Sequence, residues 1–445
     1  MKNKVHPLTN EPTMKFHIRT YGCQMNELDS EVMAGMLMRR GWSETASEEE
    51  ADVLIFNTCS VRDLAERKVL GKIGKLERLK KRPLVGIAGC MASSKKEALF
   101  QKVACLDFIV GTNNIHELDA ILDEALERRK VCHASPQFTC ELDYEGARRK
   151  DGVKASVSII RGCNKFCTYC VVPYTRGREV SRAPEAVLEE CKTLASRGYK
   201  EVMLLGQNVN SYGKDGPGES CSFATLLGRL NEIDGLERIR FMTSHPVDIS
   251  EELMSAIGEL SKVVEYVHFP LQAGSNRILR KMNRGYTVEE YLEKVQKLRS
   301  LVPDVAIGTD IIVGFPGETE EEFGQTYALI EKIGFSNSYL FAYSPRKGTP
   351  STRWADDVPK EAKEARLQKL IDLQNRITTE HLEGLVGKEV EVLAEEVSEK
   401  DSRCLKGRTR TWYNVVFPGM AKELGTLKRI VVEKVIRQTL FGLVV

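Results

Sequence analysis

Three cysteines stand within eight residues, Cys163, Cys167 and Cys170, in the run Ile-Ile-Arg-Gly-Cys-Asn-Lys-Phe-Cys-Thr-Tyr-Cys. Three thiols so close cannot all pair with one another, and no nearby fourth cysteine or histidine completes a tetrahedral zinc site. Thiolates on one short loop suit the corners of a cubane iron–sulfur cluster. A cube of four irons held by three cysteines keeps one iron open to bind something else. The alternatives are a zinc knuckle short of a ligand, or three buried structural cysteines. The C-x3-C-x2-C spacing fits no zinc pattern and favours the cluster.

A second set of cysteines is dispersed but equivalently placed. Cys23 follows the strand-like run 15–20 through Tyr21 and Gly22, Cys59 follows 53–58, and Cys90 follows 84–89. In an open parallel sheet the carboxyl ends of the strands share one edge, where ligands bind. Three thiols remote in sequence are therefore expected to converge, and three again leave a corner of a cube open. Gly22 and Gly89 precede two of them and permit tight turns. The competing explanation is that cysteine is a common buried residue near strand ends. Cys105, Cys132, Cys140, Cys191, Cys221 and Cys404 share no placement and are expected to be buried or incidental. His245 and His268 fall at strand ends and could face a site, although structural histidines are the plainer explanation.

The elements that must position these thiols can be read from periodicity. The first ~145 residues alternate strand-like runs with amphipathic stretches at 26–40 and 62–81, which predicts an open, mostly parallel α/β sheet. Residues 132–150 are polar and aperiodic, the best candidate for a linker. A second βα series has strands at 153–162, 201–208, 238–245, 266–272, 305–315 and 338–344. Helices fit between them at 183–196, 222–233, 287–301 and 319–333. Six such units predict a partial (β/α)6 barrel with its chemistry at the carboxyl ends of the strands. The clustered cysteines lie just past its first strand. A long amphipathic helix is expected over about 359–385. Short runs at 388–396, 409–417, 428–436 and 439–445 then predict a small antiparallel β-barrel. The domains so drawn are 14–145, 150–380 and 383–445.

Composition sets the class. At 42% hydrophobic and 29% charged residues over a chain of 445, this is the make-up of an ordinary soluble globular protein. No apolar run reaches the ~18 residues a membrane helix needs. The N-terminus has no apolar core of a secretory signal and reads as a loose tail. Twelve cysteines are too sparse for a secreted disulfide scaffold, and their grouping favours metal ligation in a reducing cytoplasm.

The barrel's strand ends carry Gly206-Gln207-Asn208, Thr243-Ser244-His245-Pro246, Gln272-Ala273-Gly274-Ser275 and the stretch 308–318. Each alone is an ordinary turn. On successive strands behind a cysteine triad they outline a cofactor cradle, with Tyr169, Gly206, Gln207, Ser244, Gln272 and Asp310 as candidate contacts. Arg284 and Arg346 lie in loops that carry cations toward its mouth. Between Ser402 and Arg437 there are nine cations and two anions, interleaved with Trp412, Tyr413 and Phe417. That pattern suits stacking of bases and neutralisation of phosphates, so Arg408, Arg410 and Trp412 join Arg284 and Arg346 as candidate RNA contacts. A solvated edge strand with protective lysines is the alternative.

Thr20-Tyr-Gly-Cys23-Gln-Met-Asn-Glu, Asn57-Thr-Cys59-Ser-Val-Arg, Gly89-Cys90-Met-Ala, and Arg161-Gly-Cys163 through Tyr174-Thr-Arg-Gly-Arg resemble the methylthiotransferases of the radical S-adenosylmethionine (SAM) superfamily. The stretches Cys170-Val-Val-Pro-Tyr-Thr-Arg-Gly-Arg, Thr243-Ser-His-Pro and Gly407-Arg-Thr-Arg are most similar to the MiaB branch, which acts on prenylated adenosine in tRNA. The resemblance covers nearly the whole chain and implies an N-terminal sheet domain, a radical SAM barrel and an RNA-binding TRAM barrel. It implies two [4Fe–4S] clusters, one on Cys163, Cys167 and Cys170 and one on Cys23, Cys59 and Cys90, with SAM at the first. It further implies reductive cleavage of SAM, hydrogen abstraction from carbon 2 of the adenosine beside the anticodon, and sulfur insertion from the second cluster. An electron donor such as flavodoxin or ferredoxin and an iron–sulfur cluster carrier follow as partners. Sister enzymes acting on threonylcarbamoyl-adenosine or on a ribosomal-protein aspartate are the nearest alternatives. A non-catalytic RNA-binding iron–sulfur protein is the alternative of a different class.

Overall fold

The structure, a computed structural model, describes residues 13–59, 63–76, 82–127, 130–137, 142–150, 152–215 and 221–445. The N-terminal tail, Cys140 and the end of the helix expected over 62–81 lie outside the described residues; that helix spans Asp63–Leu76. The chain divides into two compact units, one of residues 1–148 with 174–176 and one of 149–173 with 177–445.

The first unit is built on a parallel sheet of β1 (Lys15–Tyr21), β2 (Ser43–Glu44), β3 (Val53–Thr58), β4 (Leu84–Gly89), β5 (Phe108–Val110) and β6 (Val131–His133), in the order β2-β1-β3-β4-β5-β6. Every residue of β3 is buried, as expected of a parallel strand covered on both faces. The expected linker starts inside this sheet, since β6 occupies Val131–His133. Leu142, Tyr144 and Ala147 are also buried. A Cβ on Gly35 would lie 1.9 Å from the Gly146 carbonyl oxygen, so helix Gln24–Arg39 meets this segment backbone to backbone. Polarity misleads here because the contact is made by glycines and carbonyls.

The second unit begins with β7 (Lys154–Ser158), followed by β8 (Ile160–Arg161), which pairs antiparallel with β9 (Val180–Ser181). β7 then joins β10 (Glu201–Leu205) and β11 (Arg238–Phe241), while β12 (Tyr266–His268), β13 (Ala306–Val313) and β14 (Asn337–Ala342) form a second parallel trio. One parallel bridge, Ile239 to Val263, links the trios. The six strands form the expected partial barrel around a single apolar cluster that includes Val157, Leu204, Phe241, Val267 and Ile311. Helices Val288–Leu301 and Glu320–Ile333 start with reciprocal Thr–Glu caps, Thr287 with Glu290 and Thr319 with Glu322, which satisfy otherwise unpaired backbone donors.

Helix Lys360–Glu383 leads to a closed barrel of β15 (Glu389–Val397), β16 (Cys404–Thr409), β17 (Asn414–Pro418), β18 (Leu427–Ile436) and β19 (Thr439–Val444). The run expected as one strand over 409–417 is broken by a turn in which Trp412 takes φ +77°. Gly407 is required in β16, because a Cβ there would lie 1.9 Å from the Leu393 carbonyl oxygen.

Candidate functional site

The loop bearing Cys163, Cys167 and Cys170 is clamped before any cluster is considered. The β8–β9 pair forms its neck. Gly162 has φ +77°, and a Cβ there would lie 1.9 Å from the Arg178 carbonyl oxygen, so only glycine fits. Gly162 N–H donates to Gln207 Oε1 at 2.6 Å, and Cys163 N–H to the Gly177 carbonyl at 3.1 Å. Thr168 N–H donates to the Met282 carbonyl at 3.0 Å and its hydroxyl to the Lys281 carbonyl at 2.9 Å. Lys165 Nζ pairs with Asp248 at 2.6 Å, which ties the loop to the segment after β11. A loop held this way keeps its ligands near one geometry.

All three thiols are free. Burial, followed by the charges of neighbouring thiolates, pushes Cys170 up to about 12. Burial likewise raises Cys163 to about 11, with Cys167 adding to the effect. Three soft donors packed close enough to repel one another as thiolates match what metal coordination reverses, since a bound metal removes the thiol proton. Among the described residues no three such side chains gather as a single metal ion would require. A cube presents separate iron corners, so its ligands need not meet at one point. The donor set fits a cubane.

Arg284, expected at the mouth, lies inside at 5% exposure. Its Nη1 donates to Cys167 Sγ at 3.2 Å and its Nη2 to the Pro270 carbonyl at 3.1 Å. This guanidinium is buried against a cysteine of the loop, where it offers no surface to RNA. A basic side chain in a Gly-flanked loop carries no signal of burial; the adjacent Tyr286, whose hydroxyl lies 3.1 Å from Arg284 Nε, was the available hint.

The candidate cradle residues occupy one edge of the parallel strands. Gly206 follows β10, and a Cβ there would lie 2.4 Å from Ile160 Cγ2. Gln207 supports the cysteine loop through Gly162. Ser244 is fully buried and its hydroxyl has no hydrogen-bond partner among the described residues. Gln272 takes φ +74°, and its N–H donates to the Asp310 carbonyl at 2.8 Å. Asp310 Oδ1 faces His268 Nε2 at 3.3 Å. Tyr169 packs edge-on against Phe315 with ring centres 6.4 Å apart. The orphaned hydroxyl and the half-exposed carboxylate suit a ligand that carries both amine and hydroxyl groups, as SAM does.

His245 is buried, and its Nε2 has no hydrogen-bond partner among the described residues. Burial, with Arg284 and Lys165 nearby, pushes its pKa down to about 2. The unfolded chain binds a proton on this imidazole at about pH 6.5, whereas the folded protein does not. Its contribution to stability is therefore complete above about pH 6.5 and falls as the pH drops toward the folded value, by ~1.4 kcal/mol per pH unit. His245→Gln is expected to shrink the drop in thermal midpoint between about pH 7.5 and about pH 5.5. Equal drops in the two proteins would refute the assignment.

The dispersed cysteines do converge. Tyr21 of β1 is in register with Thr58 of β3, and Thr58 with Gly89 of β4. Cys23, Cys59 and Cys90 thus follow three adjacent strands, which lie ~4.8 Å apart in such a sheet. A Cβ on Gly22 would lie 3.0 Å from Cys59 Cβ. Gly89 has φ +89° and leaves only 2.4 Å between a Cβ and Asn57 Oδ1. Cys23 caps helix Gln24–Arg39, whose N-terminal dipole favours negative charge. Although the residue is exposed, the protein packed about its thiol raises its pKa, and the charge of Arg176 opposes that rise. Beneath the thiols lies a buried polar layer. Asn26 Nδ2 donates to Asn57 Oδ1 at 3.1 Å, and Asn57 Nδ2 to Ser30 Oγ at 2.9 Å. Arg176 Nη2 donates to Asp29 Oδ2 at 2.8 Å.

The basic residues of the C-terminal barrel fall into a half-buried seam, surface cations paired with acids (Arg403, Lys406, Lys428 and Arg429) and exposed cations without such a pair. Trp412 stacks on Tyr266 with centres 5.5 Å apart and 22° between planes. Arg408 lies over the Trp412 ring at 4.2 Å. Arg410 holds Glu265 with 2.7 Å contacts and donates to the Val263 carbonyl. These three form the seam between the two barrels, at the amino ends of β10–β12 and away from the cysteine loop. Lys422, Lys434 and Arg437 are exposed and make no ion pair among the described residues. Arg346 is half-buried after β14, where its carbonyl accepts from Thr349 N–H at 3.0 Å.

The uncharacterized protein family UPF0004 matches residues 15–111, and the radical SAM superfamily matches 157–330. A tRNA-2-methylthio-N(6)-dimethylallyladenosine synthase of Protochlamydia amoebophila (strain UWE25) is 59% identical over 430 residues, 96% of each chain. The enzyme of that name from Thermoanaerobacter pseudethanolicus (strain ATCC 33223 / 39E) is 50% identical over 96% of this chain and 92% of its own. Among solved structures, the radical S-adenosylmethionine methyltransferase TsrM of Kitasatospora setae superposes with a TM-score of 0.56 at 14% identity, over 76% of this chain and 77% of that one. At that identity the likeness speaks for the fold alone. No helix among the described residues is long and apolar enough to cross a membrane. With relatives of this identity over nearly the whole of both chains, the chain belongs to the tRNA-2-methylthio-N(6)-dimethylallyladenosine synthases, radical SAM methylthiotransferases that use SAM and [4Fe–4S] clusters.

Proposed function

We propose that this enzyme inserts sulfur and a methyl group at carbon 2 of N6-isopentenyladenosine beside the tRNA anticodon. The observation that carries this reading is the convergence of Cys23, Cys59 and Cys90 at three adjacent strand ends, in a chain that also has the Cys163–Cys170 loop. When bound, SAM and the two clusters supply the radical and the sulfur that an unactivated aromatic C–H bond requires, a step no acid–base pair of the protein could take. Cys163, Cys167 and Cys170 hold the first cluster, and Arg284 donates to the Cys167 sulfur. Gln207 fixes the loop, while Tyr169, Gly206, Ser244, Gln272 and Asp310 line the place for SAM. Cys23, Cys59 and Cys90 hold the second cluster. Arg346, with the exposed Lys422, Lys434 and Arg437, meets tRNA phosphates. The domains are those drawn from the sequence at 14–145, 150–380 and 383–445. A flavodoxin or ferredoxin supplies electrons, a cluster carrier supplies iron and sulfur, and the reaction runs in the cytoplasm.

Nucleoside analysis of tRNA from a deletion strain tests the reaction. Loss of the methylthio group from prenylated adenosine, restored by this gene, supports it. An unchanged prenylated profile with altered threonylcarbamoyl-adenosine overturns it. For the surface assignment, replacing Lys422, Lys434 and Arg437 with glutamine is expected to reduce the salt slope of tRNA binding by ~0.7–0.9 for each phosphate no longer neutralised. An unchanged slope would mean that other cations neutralise the phosphates.

A further inference from the structure

Arg176 stands where nothing in the sequence assigns a role to a cation. It is 3% exposed, and its Nη2 donates to Asp29 Oδ2 at 2.8 Å. Its Nη1 is buried with no hydrogen-bond partner among the described residues. Buried guanidinium nitrogens are rarely left this way, because water that once solvated them has been lost. The Arg176 charge acts on both Cys23 and Cys90. Of the polar groups around them, Asn26, Asn57 and Ser30 are engaged with one another, and Asp29 Oδ2 accepts from Arg176 Nη2. A donor left over from the Asp29 pair, on a guanidinium whose charge is felt at Cys23 and Cys90, suits an anion held by those cysteines.

We propose that Arg176 is a positioning residue of the second cluster: its Nη1 donates to anionic sulfur of the centre held by Cys23, Cys59 and Cys90, and its charge raises that centre's reduction potential. This rests on the assignment of the second cluster made above. A guanidinium anchored from behind by a carboxylate presents a fixed donor in front, and hydrogen bonds to sulfur and nearby charge are the main levers on cluster potential. Reduction adds one negative charge to the cluster, and a neighbouring cation favours that form.

The test uses full-length protein with Cys163, Cys167 and Cys170 replaced by alanine, so that only the second cluster remains. About four irons per chain in this background establishes that cluster, and their absence overturns the parent reading independently of Arg176. Redox titration by electron paramagnetic resonance then compares this protein with versions that add Arg176→Met together with Asp29→Asn, or Arg176→Lys. The paired change leaves no buried charge unbalanced. A purely structural ion pair would then leave the potential and the resonance unchanged, and that result overturns the proposal. The expected result is a more negative potential and an altered resonance. Should the paired variant hold no iron, Arg176→Lys decides. It keeps the charge but loses the fork of donors, so an altered resonance with a smaller shift of potential supports the proposal. Parental values for both reject it.

Discussion

Replacing Cys59 with alanine should cut the iron content of the reconstituted protein from about eight to about four per chain. It should leave reductive cleavage of SAM intact and reduce methylthiolated product below detection. Cys59 follows the middle strand of the three that deliver the second triad and is 5% exposed. Two thiolates cannot hold the cube that three hold. The backbone around it has no reason to move, since alanine keeps the Cβ and β3 keeps its register with β1 and β4. Cys105→Ala is the matched control. Cys105 is also buried, at 4%, and its thiol donates to the Ile73 carbonyl at 3.3 Å. Losing that thiol costs a weak hydrogen bond and some packing, with full iron retained. Normal methylthiolation by the Cys59 variant, measured anaerobically by nucleoside analysis, would remove the second cluster from the reaction. Loss of 5′-deoxyadenosine as well would mean that the two triads are not separable.

The cysteine placements were legible because they follow from topology. A cysteine just past each of three strands in one parallel sheet must arrive at one edge, whatever the packing. The partial barrel was legible for the same reason: alternating apolar strands and amphipathic helices leave few ways to fold. Burial of charge was not legible. Arg284 and Arg410 are indistinguishable by type from solvated cations, and their partners are remote in sequence: Cys167 for Arg284, Glu265 for Arg410. Trp412 looked like a stacking platform, and it is one, but the ring it stacks on is Tyr266. One clue was present in the sequence. Arg238 and Arg240 stand two apart on a strand, hence on one face, and Glu201 begins the neighbouring strand. Alternate arginines on an otherwise apolar strand mark a face that another part of the chain must satisfy. Arg176 was the fullest miss, since the only signal in its stretch was likeness to a family.

That seam carries the second large effect. Arg240 is 1% exposed. Its Nε donates to Glu201 Oε2 at 2.8 Å, Nη1 to the Arg410 carbonyl at 2.8 Å and Nη2 to the Thr409 carbonyl at 2.7 Å. Its charge also lies 5.0 Å from the centre of the Trp412 ring. Beside it, Arg238 is fully buried and held by Glu391 at 2.8 Å and the Arg408 carbonyl at 2.7 Å. Burial and the charge of Arg240 push the Arg238 pKa down, opposed by Glu201 and Glu391. Arg240→Met fills much of the same volume but strands the Glu201 carboxylate, itself 1% exposed, together with two carbonyls. Removing one partner of a buried pair costs ~3–5 kcal/mol. A thermal midpoint lowered accordingly, with faster proteolysis between helix Lys360–Glu383 and β15, is the expected result. Arg240→Met combined with Glu201→Leu should recover most of the loss, because an apolar pair of similar volume is often as stable as the ion pair it replaces. If the double variant is no better than the single, the stranded carboxylate is not the cause. The carbonyls of Thr409 and Arg410 would then be what Arg240 is there to hold, and the C-terminal barrel would owe its seat to backbone hydrogen bonds instead of charge.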